Sequence, residues 1–306
     1  MTRADARLVG DSFKLGYRFQ SYWGTSMALA FFSAEVGAGT FLLALYHDHL
    51  PAMIFGLVLA ATLKPYFHLA HMGVPSKSWR AIIRPDRSWI SRGAIAIGLL
   101  IGSGALYVVD RTVGLQATFG LPSFIGPVAK YVAIAAGLVV ACYQGMAMAA
   151  SESFTLWASP LVPVSSLCYA ATAGTLMVLV IGWEALSAGQ RADLATVIQV
   201  LLLLDLAIVV GILFFASRKS RGGAFSAELL LKGELAASFR NLVVGLGFGL
   251  PLLLMFFGGA QRLVVALAGI AMLAGFYAFR SLMFKAAVFE PITHDLAGSI
   301  GLPVSR

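Results

Sequence analysis

Residues 194–216 read LATVIQVLLLLDLAIVVGILFFA, a run in which Asp205 is the only ionisable side chain. At about 1.5 Å per residue, a helix of some twenty apolar residues crosses the roughly 30 Å hydrocarbon core of a bilayer. A water-soluble surface helix of that length would carry a polar face instead. Moving outward from this stretch, similar runs recur at about Trp23 to Tyr46, Pro51 to Leu69, Gly93 to Val109, Val128 to Ala150 and Pro163 to Trp183. Two more follow it, Asn241 to Gly258 and Leu263 to Phe279. Strands of a membrane barrel would alternate polar and apolar over about ten residues. These runs are continuous, as helices that satisfy their own backbone groups in lipid are allowed to be. The expected fold is all-α: a polytopic bundle of about eight transmembrane helices with both termini on the same side.

Bulk composition agrees. Of 306 residues, 59% are apolar and 12% are Asp, Glu, Lys or Arg, with a mean hydropathy of +0.86. A soluble domain carries roughly twice that charged fraction. The expected division is a cytoplasmic N-terminal segment over 1–22, an eight-helix membrane domain over 23–280 and a tail over 281–306. Met1 to Gln20 contains no continuous apolar core of the signal-peptide kind. The loops are too short for a catalytic domain, so any large hydrophilic partner is a separate chain.

The net charge of +8 does not point to nucleic acid, because the basic residues sit in short loops between apolar runs, where they report topology. With the N-terminus cytoplasmic, 17 Lys and Arg fall on that side, among them Arg80, Arg84, Arg87, Arg218, Lys219 and Arg280. Four fall opposite: Arg111, Lys130, Arg191 and Arg262. The bias places both termini in the cytoplasm and the chain in the inner, cytoplasmic membrane. Glycines within the runs, including Gly37, Gly39, Gly98, Gly102, Gly104, Gly245, Gly247 and Gly249, are expected to let helices approach closely.

Polar groups at membrane depth are the candidates for chemistry. Glu35 lies mid-way along the first run, and a charged residue at a helix centre costs roughly 2.5–3.5 kcal/mol on insertion scales, so it is expected to face protein. A structural hydrogen bond and a proton-transfer role are both open to it. Asp205 is at similar depth in the sixth run and has the same two readings. The second run ends in Lys64-Pro65-Tyr66-Phe67-His68-Leu69-Ala70-His71, where Pro65 should kink or end the helix, Lys64 is free to snorkel, and His68 and His71 lie one turn apart. The fourth run ends in Cys142-Tyr143-Gln144, on the same side. With Tyr22 and Trp23 at the start of the first run, these form a band of aromatic and hydrogen-bonding groups suited to a lipid-soluble quinone, or to the ordinary aromatic belt of a membrane surface.

Haem is not expected. Of His47, His49, His68, His71 and His294, the first two occupy an outer turn, and His68 and His71 are too close on one helix to grip opposite faces of an iron. Cys142 and Cys168 show no CxxC spacing and cannot hold an iron–sulfur cluster alone. Electrons would enter or leave through a partner's centre.

The loop after the second run reads His71-Met72-Gly73-Val74-Pro75-Ser76-Lys77-Ser78-Trp79-Arg80, and continues to Ser88-Trp89-Ile90-Ser91-Arg92-Gly93. This resembles the His-x-Gly-x-Pro…Trp-Arg and Ser-Trp-x-Ser-Arg signatures of the membrane-anchor family shared by polysulfide reductase, dimethyl sulfoxide reductase and nitrite-reductase-associated quinol oxidases. The resemblance implies a quinone-reactive subunit binding menaquinone or ubiquinone. It also implies an iron–sulfur partner subunit and, beyond that, a molybdopterin catalytic subunit. On this reading Glu35, His71 and Tyr143 supply proton contacts, and Tyr22, Trp23, Lys64, His68 and Gln144 line the quinone site. Arg80, Arg84, Arg87 and Arg92 meet lipid phosphates or acidic partner groups. The alternatives are a secondary transporter or ion carrier using Glu35 and Asp205, and an anchor that only tethers a soluble enzyme.

Overall fold

The computed structural model describes residues 18–290. Most of the segment 1–22, most of the tail 281–306, the topological charges Arg3, Arg7, Lys14 and Arg306, and His294 lie outside the described residues. Eight helices are long and apolar enough to cross a membrane: Thr25–Tyr46, Leu50–His71, Trp89–Val113, Ile125–Ala149, Leu161–Ile181, Ala188–Lys219, Ala236–Gly258 and Arg262–Lys285. They are called the first to eighth spans. Large apolar side chains such as Val200, Phe214, Phe256, Phe257 and Ile270 stay exposed on the outside of the bundle. That pattern suits lipid, because an aqueous surface would not leave such broad apolar faces uncovered. The chain is a multi-pass membrane protein.

Helix ends show which loops share a face. Arg18–Phe19 (β1) pairs antiparallel with Val288–Phe289 (β2), and Phe154, between the fourth and fifth spans, bridges to Phe289. Both ends of the described chain therefore meet on one face, as eight crossings require. On the opposite face Arg111 reaches Asp48 at 2.8 Å and Arg262 reaches Glu184 at 2.5 Å. Two of the outer turns are thereby tied to a neighbouring helix end.

Glycine sets how closely the spans pack, but not at every position expected. A Cβ on Gly56 would come within 2.7 Å of the Gly37 carbonyl oxygen, and one on Gly39 would run into the backbone of Ala170. The first span is thus held against both the second and the fifth with no side chain between, and it is the most buried of the eight. Gly247 and Gly275 make a similar backbone contact between the seventh and eighth spans. Gly98 and Gly102 meet open space, so they do not serve as contact points.

Several boundaries differ from the apolar runs. The third span begins at Trp89, because Ser88 Oγ caps it by accepting the Ser91 N–H at 3.3 Å. Arg92 then folds over the Trp89 ring and donates to the Pro85 and Asp86 carbonyls. The sixth span starts six residues early at Ala188, where Ser187 and Gln190 form a reciprocal capping box. Residues 221–231, read from sequence only as a basic loop, form a short helix capped by Ser220, with Ala227, Leu229 and Leu230 turned inward. The eighth span runs past residue 280 to Lys285. That extension buries Arg280, which therefore leaves the loop-charge tally; of the thirteen basic residues of that tally among the described residues, the other twelve remain on the face where the two ends of the described chain meet.

Candidate functional site

The second span breaks at Thr62 and resumes at Leu63. The cause is Pro65, whose missing N–H would have bonded the carbonyl of Ala61. Below the break, Lys64 is the one buried residue of Leu63–His71. Lys64 does not snorkel to the surface as its place near the span end suggested; its amino group points inward. Nζ lies 3.3 Å from Gln144 Oε1, and Gln144 Nε2 donates in turn to the Phe31 carbonyl at 3.1 Å. The same Nζ lies 5.3 Å from the centre of the Phe31 ring and 5.5 Å from that of Tyr143, both within cation–π range.

These groups border a cavity of about 180 Å³ between the end of the second span, the start of the third and the end of the fourth. Lys64, His68 and Tyr143 supply its polar wall, and Leu69, Ile90 and Ile97 its apolar one. His68 Nδ1 is buried with no hydrogen-bond partner. Gly93 admits the Tyr143 ring, since a Cβ at that position would overlap the ring atoms. Gly93 closes the Ser88-to-Gly93 stretch of the sequence, and Ile90 of the same stretch lines the cavity, so this end of the loop and the cavity are one piece of structure.

A second polar assembly lies deeper. Glu35 and Arg280 form a two-pronged ion pair, Arg280 Nη2 to Glu35 Oε1 at 2.7 Å and Nε to Oε2 at 3.2 Å. Arg280 also donates to Ser166 Oγ at 2.8 Å and Ser165 Oγ at 3.4 Å. Its guanidinium sits over the Tyr169 ring, 5.2 Å from the centroid. On the far side, Thr172 Oγ1 donates to Asp205 Oδ2 at 2.7 Å, while Asp205 Oδ1 and the Tyr169 hydroxyl are buried without partners. Among the described residues the buried Lys, Arg, Asp and Glu side chains are Lys64, Arg280, Glu35 and Asp205. Two basic and two acidic side chains thus share the interior, and the Arg280–Glu35 pairing lowers the cost of holding those two there.

Of the residues singled out in the sequence, Lys64, His68 and Tyr143 come together at the cavity, and Gln144 stands directly behind Lys64. His71 ends the second span without lining the cavity. Tyr22 is exposed, and Trp23 stacks on Trp157 at 5.2 Å within a cluster that includes Phe31 and Phe284; neither reaches the cavity. Sequence reasoning missed Arg280, Ser165, Ser166 and Tyr169. The signal for Arg280 was the Leu282-Met283-Phe284 run beyond it, which shows that the helix remains at membrane depth.

No family model matches the chain, and no curated protein matches it either.

Proposed function

We propose that the chain is the membrane anchor and quinone-reactive subunit of a multisubunit iron–sulfur, molybdopterin-containing oxidoreductase. Its task is to exchange electrons between the quinone pool, menaquinone or ubiquinone, and a docked iron–sulfur subunit. The observation that carries this reading is the unpartnered His68 nitrogen facing the same cavity as Lys64 and Tyr143, in a pocket that the loop signature itself helps to build.

The residues fit a quinone head. A volume of about 180 Å³ is below the 300 Å³ or so of drug-sized ligand sites; it suits the quinone head alone, with the isoprenoid tail left among the lipid-facing side chains. When bound, the quinone supplies the two-electron, two-proton chemistry. Lys64 and His68 present nitrogens that donate to carbonyl oxygens, and Tyr143 offers a hydroxyl that can donate or accept. Gln144 holds Lys64 in place. Glu35 has both oxygens on Arg280 and does not border the cavity, so it does not touch the ring. Lys77, Arg80, Arg84 and Arg87, on the exposed loop next to the cavity, give an acidic partner a docking face. With the bias of basic residues toward that face, the termini lie in the cytoplasm of an inner-membrane protein.

Purification from native membranes, with subunit identification and metal analysis, tests this reading. Copurified iron–sulfur protein whose clusters are reduced or oxidised on adding a quinol or quinone is the expected result. Clusters in the intact complex that fail to respond to saturating quinone would overturn it. A second reading, an ion carrier using Glu35 and Asp205, draws on the unpartnered Asp205 oxygen beside Tyr169. It requires the isolated chain to move an ion across proteoliposomes.

A further inference from the structure

A larger cavity, of about 470 Å³, opens on the face of the termini between the start of the fifth span and the end of the sixth. It has no part in the quinone reading. Pro160 and Phe215 form its apolar side, and Thr155, Ser159, Arg218 and Lys219 its polar side. Three features of different origin converge there.

The first is Thr155, whose side chain is only 8% exposed and whose Oγ1 has no hydrogen-bond partner. Buried hydroxyls are normally satisfied, so this one is poised for a group from outside the chain. The second is a pair of adjacent cations. Lys219 Nζ is held at the cavity by a 2.6 Å bond to the Ala158 carbonyl, which uses one of the three donors on that nitrogen. Arg218 lies over the Phe214 ring, 5.2 Å from its centroid. The third is the start of the 21-residue fifth span, whose N-terminus adds a positive dipole end.

Cations, a hydroxyl donor and a helix N-terminus together select an anion with several acceptor oxygens. The neighbouring wall selects what that anion is attached to: Phe215 is exposed on the lipid-facing side of the sixth span, so an aliphatic chain lying beside it would remain in the hydrocarbon layer. We propose that this cavity binds the phosphodiester of an anionic phospholipid, with Arg218, Lys219 and Thr155 on the phosphate oxygens and one acyl chain along Phe215. The site fastens the link between the fourth and fifth spans to the end of the sixth.

The test uses the full chain in detergent, stripped of lipid and then given phosphatidylglycerol, phosphatidylcholine or inorganic phosphate. Retained lipid is read by native mass spectrometry and stability by the thermal midpoint. Phosphatidylglycerol should be retained and raise the midpoint, and R218Q/K219Q should cut retention by about tenfold. T155V should lower retention while raising the midpoint of lipid-free protein, because it removes an unpaired buried hydroxyl. A hydroxyl with a merely structural role would move the lipid-free midpoint the other way. Equal retention by wild type and T155V overturns the proposal, and does so even if the double variant fails to fold. Equal effects of phosphatidylcholine, or of inorganic phosphate, also overturn it by removing the anionic lipid as the ligand.

Discussion

Arg280 and Lys64 are both buried cations on apolar helices, but Arg280 donates four hydrogen bonds to side chains of the first and fifth spans, whereas Lys64 makes one, to Gln144. The deep assembly around Arg280 is closed: each guanidinium nitrogen has a side-chain acceptor and Glu35 uses both oxygens. The cavity around Lys64 is open, with a bare His68 nitrogen on its wall. Desolvating a cation is expensive in either place. At Arg280 the protein offsets that cost by itself, which ties three spans together. At Lys64 it leaves donor capacity that a ligand with acceptor oxygens can take up. On the proposed function, the closed Arg280–Glu35 pair is structural and the open cavity around Lys64 is the binding site.

The largest effect should come from opening the closed assembly. Arg280→Met leaves the Glu35 carboxylate buried without its partner, and breaking a buried pair from one side costs about 3–5 kcal/mol. Unfolding in detergent should show that loss, or the variant should fail to accumulate in membranes. Glu35→Gln together with Arg280→Met should recover most of it, since neither charge is then left alone. A wild-type midpoint in the single variant would mean that the pair contributes no net stability.

A smaller effect should follow from filling the space that joins loop and cavity. Gly93→Val drives a side chain into the Tyr143 ring, and overpacking of this kind costs about 1–3 kcal/mol. Quinone-dependent turnover should fall with it. Gly98→Ala, on the same helix, meets nothing within 4 Å. It should be neutral or stabilise by up to about 1 kcal/mol. Identical behaviour of the two variants would show that the cavity does not depend on the place of Tyr143.

How much of this was legible in the sequence follows from what each feature depends on. The eight spans depend on local hydropathy, so continuous apolar runs revealed them, and the shared face of the termini followed from their even number. Lys64, His68, Tyr143 and Gln144 were visible because a few polar residues clustered near two span ends of the same side. The partners of Glu35 were not visible. Arg280 lies 245 positions away along the chain, and helix rotation decides whether such residues meet. The apolar windows also stopped at Phe279, because one Arg lowers a window average even where the helix stays buried. Trp23 misled for a related reason: at a span start it reads as an interfacial aromatic, and only packing shows it stacked on Trp157.

Asp205 probes the side of the deep assembly away from the closed Arg280–Glu35 pair, where its own Oδ1 and the Tyr169 hydroxyl lack partners. Asp205→Asn keeps the size and an acceptor for Thr172, so stability should shift by under about 1 kcal/mol. Quinone turnover should be unchanged, because Asp205 does not border the cavity. Loss of ion movement in proteoliposomes containing the isolated chain would instead favour the carrier reading.

The smallest stability effect, and the most discriminating one, belongs to His68. Its Nδ1 has no partner within the protein, so His68→Leu removes a polar atom that contributes nothing to the fold and replaces the ring by an apolar group that fits the Leu69 and Ile97 wall. The unfolding midpoint should stay level or rise slightly, since an unsatisfied buried group is itself unfavourable. Quinone kinetics should respond in the opposite sense: losing one hydrogen bond to a carbonyl oxygen is worth roughly 1.4 kcal/mol, or about tenfold in KM or turnover. A core histidine would give the reverse, a lower midpoint with unaltered kinetics. Because the two readings predict opposite signs on two separate measurements, a single variant decides whether the open cavity is a binding site or an imperfection of packing.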